Sequence, residues 1–207
     1  MLNLPFTYHI APQLQQTGQV KSTPLAAPFS GPAEPCDLLW NTGMASQDLN
    51  QQLAEFQQAT ENGGLAGALR YLNARTAYRY TAIYRLDGQM MRNIHIYDRQ
   101  GASTADLSEV PLGDSFCQFV IAENGFSTAN SATDDRLLGH AYRGILNAYF
   151  GLPLSRKAGS IYGTFCHFDF KAIQLPDSEI PLIEAVSSLL MDQLESEVSG
   201  SDVSIRA

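Results

Sequence analysis

Along this chain the spacing of apolar positions switches between about 3.6 and about 2, and each switch predicts an element. Leu49, Leu53 and Phe56 recur at helical spacing behind the capping stretch Ser46-Gln47-Asp48, so a helix is expected to begin near Ser46. Asn62-Gly63-Gly64 is expected to stop it. A second helix follows over 64–74, with Leu65, Ala68, Leu69 and Leu72 on one face. The period then shortens. TAYRYTAIYRL at 76–86 is aromatic with partial alternation, Asp87-Gly88 is a hairpin signal, and MMRNIHIYD at 90–98 reads as the returning strand. GDSFCQFVIAEN at 113–124 predicts a short helix with Asp114 or Ser115 as cap and Asn124-Gly125 as stop. Residues 126–147 read as a loop and short helix. AYFGLPLS at 148–155 and SIYGTFCHFDF at 160–170 read as strands; the short RKAG between them implies antiparallel pairing. LPDSEIPLIEAVSSLLMDQLESEV predicts a closing helix, capped by Asp177 or Ser178, with Pro181 in its first turn. Its apolar face is Leu182, Ile183, Val186, Leu189, Leu190 and Leu194.

This order implies an α+β fold: a central, mainly antiparallel β-sheet, with terminal helices on one face. The short helices and loops of the middle insertion would form a pocket on the other. Residues 1–45 are expected to be a Pro-rich, partly irregular arm, whose Phe6, Tyr8 and Phe29 could dock on the domain. Residues 46–198 would form a single domain and 199–207 a flexible tail.

Composition narrows the function classes. Apolar residues make up 44%, enough for a sizeable core, and the formal net charge is −8 without a basic stripe. Such a chain repels phosphate backbones, so nucleic acid is not an expected partner. No apolar run is long enough to span a membrane, and MLNLPFTYHIAP is not a convincing signal peptide. Cys36, Cys117 and Cys166 are odd in number and far apart, which argues for a reducing cytoplasm rather than a disulfide framework.

The blocks DSFCQFVI, TDDRL, YFGLPL and GSIYGTFCHFD, followed by a long terminal helix, resemble the GAF domain in order and spacing. The resemblance covers roughly residues 48–195. It implies the GAF-like fold and a small-molecule-sensing and dimerisation module of bacterial signalling proteins. The NKFDE motif of cyclic-nucleotide-binding members is absent from this sequence. His140 lies where phytochromes carry a bilin-attaching Cys beside a His, but its neighbours are Gly139 and Ala141. Free methionine-R-sulfoxide reductase is a catalytic member with several pocket cysteines. Cys117 falls close to one of them, while LLGHAYRGIL, the region of the expected partner thiol, has none.

Cys117, at the start of a helix, is either a thiolate facing a pocket or an apolar residue between Phe116 and Phe119. No Lys or Arg lies nearby in sequence to lower its pKa, and Asp114 would raise it. Phe165 and His167 alternate with Cys166, so these two point to one face and Cys166 to the other. The spacing of His and Cys residues supplies no metal-ligand set. In TDDRL, Asp134 is expected to cap the following turn, with Asp135 and Arg136 partly solvated; one of them could hydrogen-bond a polar ligand. The pocket residues expected are His95, Tyr97, Ser115, Cys117, Asp134, Tyr149, Phe165 and His167, with aromatic rings for a small, flat ligand. A terminal-helix stripe too wide for the sheet would leave Leu49, Leu190 and Leu194 for a partner copy.

The expected function is a small-molecule-binding sensory domain, a homodimer through its terminal helices, acting on a separate effector protein. No cofactor is specified by the residues. The alternatives are a thiol enzyme with Cys117 as its catalytic group and a ligand-free adaptor.

Overall fold

A computed structural model describes the backbone of residues 35–203 and the side chains of residues 48–197. The arm's docking aromatics and the Cys36 thiol lie outside those residues. Six strands form one antiparallel sheet: β1 (Tyr80–Asp87), β2 (Met90–Asp98), β3 (Glu109–Pro111), β4 (Phe126–Thr128), β5 (Ala148–Ser155) and β6 (Ile161–Asp169). The spatial order is β3-β2-β1-β6-β5-β4, so β1 and β6, the first and last strands in sequence, meet at the centre. The β1–β2 turn closes between Asp87 and Met90, with Gly88 at φ 62°. A two-residue turn needs that left-handed backbone, and Gly supplies it without a Cβ clash.

The first helix, α1 (Pro35–Ala74), starts upstream of the expected Ser46. Proline at a first helical position has its φ already set, and a Ser-Gln-Asp stretch is tolerated inside a helix. The predicted break does occur. Gly64, at φ 58° and ψ −152°, leaves helical geometry. The two arms fold back on each other, so that Tyr71 Oη donates to the Gln52 carbonyl and Phe56 meets the Tyr71 ring edge-on. Gly67 lies against the Ala59 carbonyl, where a β-carbon would come within 2.2 Å. The closing helix, α3 (Ile180–Val203), follows a 3-10 turn at Asp177–Glu179 that has no side-chain cap, and Pro181 occupies its first turn.

Helices α1 and α3 pack on one sheet face. Leu65, Leu69, Leu72, Leu182, Val186, Leu190 and Leu194 join Ile83, Phe150 and Phe165 there, all buried. Leu190 and Leu194 are therefore part of this chain's own core, and Leu49 packs against it. The stripe is not too wide for the sheet, because α1 doubles back and covers what one straight helix would leave open. On the opposite face, α2 (Cys117–Glu123) and the insertion bury Phe116, Cys117, Val120, Phe126 and Leu137 against Tyr80, Ala82, Tyr84, Tyr149, Cys166 and Phe168.

The helix expected over 113–124 is shorter and uncapped: its first turn follows Phe116, and the Ser115 hydroxyl donates to the Leu112 carbonyl instead. Its stop is as read, with Asn124 left-handed at φ 60°. The insertion holds 3-10 turns at Ser131–Thr133 and Asp135–Leu137 and the edge strand β4 rather than an α-helix. Strands β3 and β4 have three residues each, too few for alternation to register.

Candidate functional site

The eight expected site residues fall on two sides of the sheet. Ser115, Cys117 and Tyr149 lie together beneath the insertion, and Asp134 sits at its rim. His95, Tyr97, Phe165 and His167 lie on the terminal-helix face. His95 approaches Glu197 of α3 at 3.4 Å, and Tyr97 and Phe165 pack into the α1–α3 core. The alternation that separates Phe165 and His167 from Cys166 is present, but the faces are exchanged. It is Cys166 that looks towards the insertion, because the helices cover the Phe165 side.

Beneath the insertion a small polar group is enclosed in apolar packing. Thr164 Oγ1 donates to Cys117 Sγ at 3.3 Å, and Tyr149 Oη lies 3.4 Å from the same sulfur. The Tyr149 hydroxyl also reaches Cys166. Cys117 is 4% exposed, Tyr149 3% and Cys166 1%, so this group is almost wholly shielded from solvent. Burial pushes the Cys117 thiol up, more than the hydrogen bonds from Thr164, Tyr149 and Ser115 pull it down. The same desolvation holds Cys166 and Tyr149 well above their ordinary values. A seven-residue helix start does not offset that, so both sulfurs are thiols at neutral pH. Thr164 and the meeting of Cys166 with Cys117 were not read from the sequence. The only signal for them was the two-residue spacing Thr164–Cys166, which has no meaning until the face is known.

Iodoacetamide is expected to label Cys117 and Cys166 at least about a hundredfold more slowly in the native protein than in urea, site by site in peptide maps. Equal rates in the two states would restore Cys117 as a reactive thiol.

A cleft of about 550 Å³ opens at the β4 edge of the sheet. Its lining includes Tyr149 and Phe150 of β5, together with Thr128, Asn130, Asp134 and Arg136. Gln174, Asp177 and Ile180, leading into α3, and Tyr78 from the α1–β1 connection complete it. Asp134 accepts from the Arg136 backbone N–H, the capping role expected, and also from the Arg136 guanidinium at 2.6 and 3.0 Å. That guanidinium holds the Asp134 carboxyl down at about 2. Arg136 reaches on to the Ser127 carbonyl at 2.7 Å and lies over the Phe126 ring. Asp135 is 90% exposed at its side chain and adds negative charge to the rim. The cleft thus offers aromatic side chains and fixed hydrogen-bonding groups in its lining.

A second polar group is buried on the helix face. Asn73 Nδ2 donates to Thr81 Oγ1 at 2.9 Å, and Thr81 Oγ1 lies 2.7 Å from His167 Nδ1. Arg99 donates to the Asn73 and Thr76 carbonyls and to Asn73 Oδ1, closing the C-terminus of α1 with a cation. His167 Nε2 has no partner, and burial, with Arg99 nearby, lowers the imidazole to about 3. These groups serve packing of α1 on the sheet. Among the described residues no set of three or more His, Cys, Asp or Glu side chains is placed to hold a metal ion. No helix among them is long and apolar enough to cross a membrane.

No family model matches the sequence, and no curated protein sequence does. Solved structures do match the fold. The chain is similar to the GAF domain of an Acinetobacter phosphoenolpyruvate-protein phosphotransferase, at 12% identity and TM-score 0.56, over 77% of this chain and 98% of that one. It is similar to free methionine-R-sulfoxide reductase of Neisseria meningitidis, solved with its substrate, at 12% identity and TM-score 0.55, over 84% and 98%. It is also similar to the chromophore-binding domain of a bacteriophytochrome from R. palustris, at 10% identity and TM-score 0.57, over 77% and 63%.

Proposed function

Because the chain has the GAF-domain fold, we propose that it is a sensory domain that binds a small polar molecule in the cleft at the β4 edge and signals through its terminal helices. One observation carries this reading. The cleft touches both structural outputs at once: Tyr78 joins α1 to the sheet, Asp177 opens the turn before α3 and Ile180 is the first residue of α3. A ligand resting on Tyr149 and bonded to the Asp134–Arg136 rim would therefore bias how the two helices sit on the sheet. That is a population shift driven by differential contacts, not by distance. Tyr149 also runs inward to Cys117, so the cleft lining and the central polar group share one side chain. The similar solved structures, a phosphotransferase GAF domain and a bacteriophytochrome chromophore-binding domain, support this reading through their shared fold. Pairing with a second copy belongs to the same proposal. Since Leu190 and Leu194 are buried in this chain, the partner would meet the outer, polar side of the helices.

The thiol-enzyme alternative is disfavoured by the two buried, protonated thiols. The ligand-free alternative draws support from the tight packing beneath the insertion, but that packing leaves the rim cleft open.

The test is native mass spectrometry of freshly purified protein, followed by thermal melts with any molecule it releases. A released ligand added back at about a hundred times its Kd is expected to stabilise the fold by about 2.7 kcal/mol. Asp134→Ala should abolish both the bound mass and the shift. A bare protein whose melting is unmoved by nucleotide, amino-acid and tetrapyrrole probes would overturn the ligand reading and leave the adaptor.

A further inference from the structure

We propose that His140 is a proton-sensitive plug: its neutral ring closes the insertion over the central site, and protonation releases the tip at residues 138–146. The geometry allows one closed protonation state. His140 Nδ1 accepts the Tyr142 backbone N–H at 3.1 Å. A backbone amide is only a donor, so Nδ1 carries no hydrogen and the single ring proton is on Nε2. The Ser115 backbone lies close to the ring and favours its protonated form. The Gln118 amide nitrogen, 3.1 Å from Nε2, has both its hydrogens committed, to the carbonyls of Gly113 at 2.7 Å and Ser115 at 3.2 Å. It therefore offers Nε2 nothing to accept.

A second proton, taken from solvent, has only Nδ1 to bind. There it removes the acceptor of the Tyr142 N–H and sets two donors against each other. The conflict is with the backbone two residues along its own segment, so only a move of the ring away from the Tyr142 N–H relieves it. It must leave its place, and its place matters. The ring lies 4.8 Å from that of Phe116 and 5.6 Å from that of Phe119, and Phe116 in turn stands edge-on to Tyr149 at 5.6 Å. Removing the imidazole uncovers Phe116, which is now 1% exposed, and with it the way to Tyr149 and Cys117.

The tip is built to move apart from the rest of the insertion. Leu138 and Ile145 are more than half exposed and Tyr142 is also exposed, so it buries little. Behind it, Leu137 is fully buried and the Ser131 N–H donates to the Asn147 carbonyl, which anchors the base, while the Gly144 N–H to Ser131 Oγ bond is a tie that release of the tip breaks. Facing His140 from the turn before α2 is Asp114, whose charge favours protonation, while burial of the ring opposes it more strongly. On its own segment Arg143 leans towards Asp135 at 3.7 Å. The ring therefore titrates below the ordinary histidine range. This inference stands whether or not a ligand fills the rim cleft.

Ring nitrogen NMR on the full chain tests it. At pH 7.5 His140 should show the Nε2–H tautomer. As the pH falls, the ring should titrate and the Tyr142 amide proton should move on the same curve. Protection of that amide should drop about tenfold per pH unit below the midpoint, with residues 138–146 gaining mobility while Leu137 stays ordered. His140→Gln, whose side-chain carbonyl can take the Tyr142 N–H and does not titrate, should keep the tip closed through the same range. An Nδ1–H tautomer at pH 7.5, a Tyr142 amide that ignores the titration, or an opening curve unchanged in H140Q would each overturn the plug. The tautomer reading needs no variant, so failure of H140Q to fold does not shield the proposal.

Discussion

Lowering the pH from 7 to 4 is expected to cost this chain about 3 kcal/mol of unfolding free energy through His167 alone. An unfolded histidine titrates near 6.5, whereas the buried ring is held at about 3 by desolvation, with Arg99 adding to the effect. Between those values the unfolded chain binds a proton that the native chain refuses. The stabilisation is therefore full above about 6.5 and is lost progressively as the pH falls towards 3. The cause is geometric. His167 has 0% exposure, Nδ1 is matched by Thr81, and Nε2 has no partner that a charged ring would need. Asp98 and Asp134, each held at about 2 by a neighbouring arginine, begin to lose their contributions near pH 5, as they protonate in the unfolded chain, and lose most of them below pH 4. Urea midpoints at pH 7, 5.5 and 4 should fall steeply with an unchanged m-value. In His167→Gln the loss between pH 6.5 and 4 should shrink to the small part owed to His140, Asp98 and Asp134. An equally steep loss in H167Q would mean that the histidine does not carry the acid sensitivity.

Gly163→Ala is expected to be the more damaging single methyl group, at about 3 kcal/mol or more, a fall of roughly 6–12 °C in Tm for a chain of this size. Gly163 lies on β6 opposite Arg85 of β1, at the centre of the sheet. A β-carbon there would come within 1.9 Å of the Tyr84 carbonyl oxygen and 2.8 Å of the Arg85 Cα. Both are backbone atoms of a paired strand, so no rotamer change relieves the clash, and the two central strands must part. Gly159 makes the contrast. It is left-handed at φ 81° in open space, so G159A meets backbone strain alone, about 1–2 kcal/mol. Thermal melts of the two variants side by side decide the matter. If G163A melts no lower than G159A, the central strands do not approach as closely as described.

Much of the scaffold could be read from local chemistry. The 90–98 and 148–155 strands coincide with β2 and β5, because alternation and turn residues at Asp87-Gly88 and Arg156-to-Ser160 act within a few residues. Asn124 and Gly64 end helical geometry where a left-handed residue is cheapest. The helix faces 65–72 and 182–194 are buried as their spacing implied. Asp134 caps the turn its block suggested. The edge strands were not legible, since three residues carry no period, and the early start of α1 at Pro35 was masked by a capping stretch that lies inside it.

The candidate site shows the limit most plainly. A period of two says which residues of a strand share a face, and nothing in it says which face is which. Residues Phe165 and His167 were correctly set apart from Cys166, yet it is Cys166 that joins Cys117 and Tyr149. That choice belongs to α1 and α3. Their apolar faces cover the side of Ile83, Phe150 and Phe165, and so leave the opposite side to α2 and the insertion. The contact between Cys117 and Thr164 spans 47 positions of chain and exists only because the sheet brings β6 under α2. Local propensity and periodicity are short-ranged, so by itself the sequence determined the elements, their ends and the α+β class. Burial is a property of the assembled layers, and only that assembly decided which thiols, phenols and imidazoles meet.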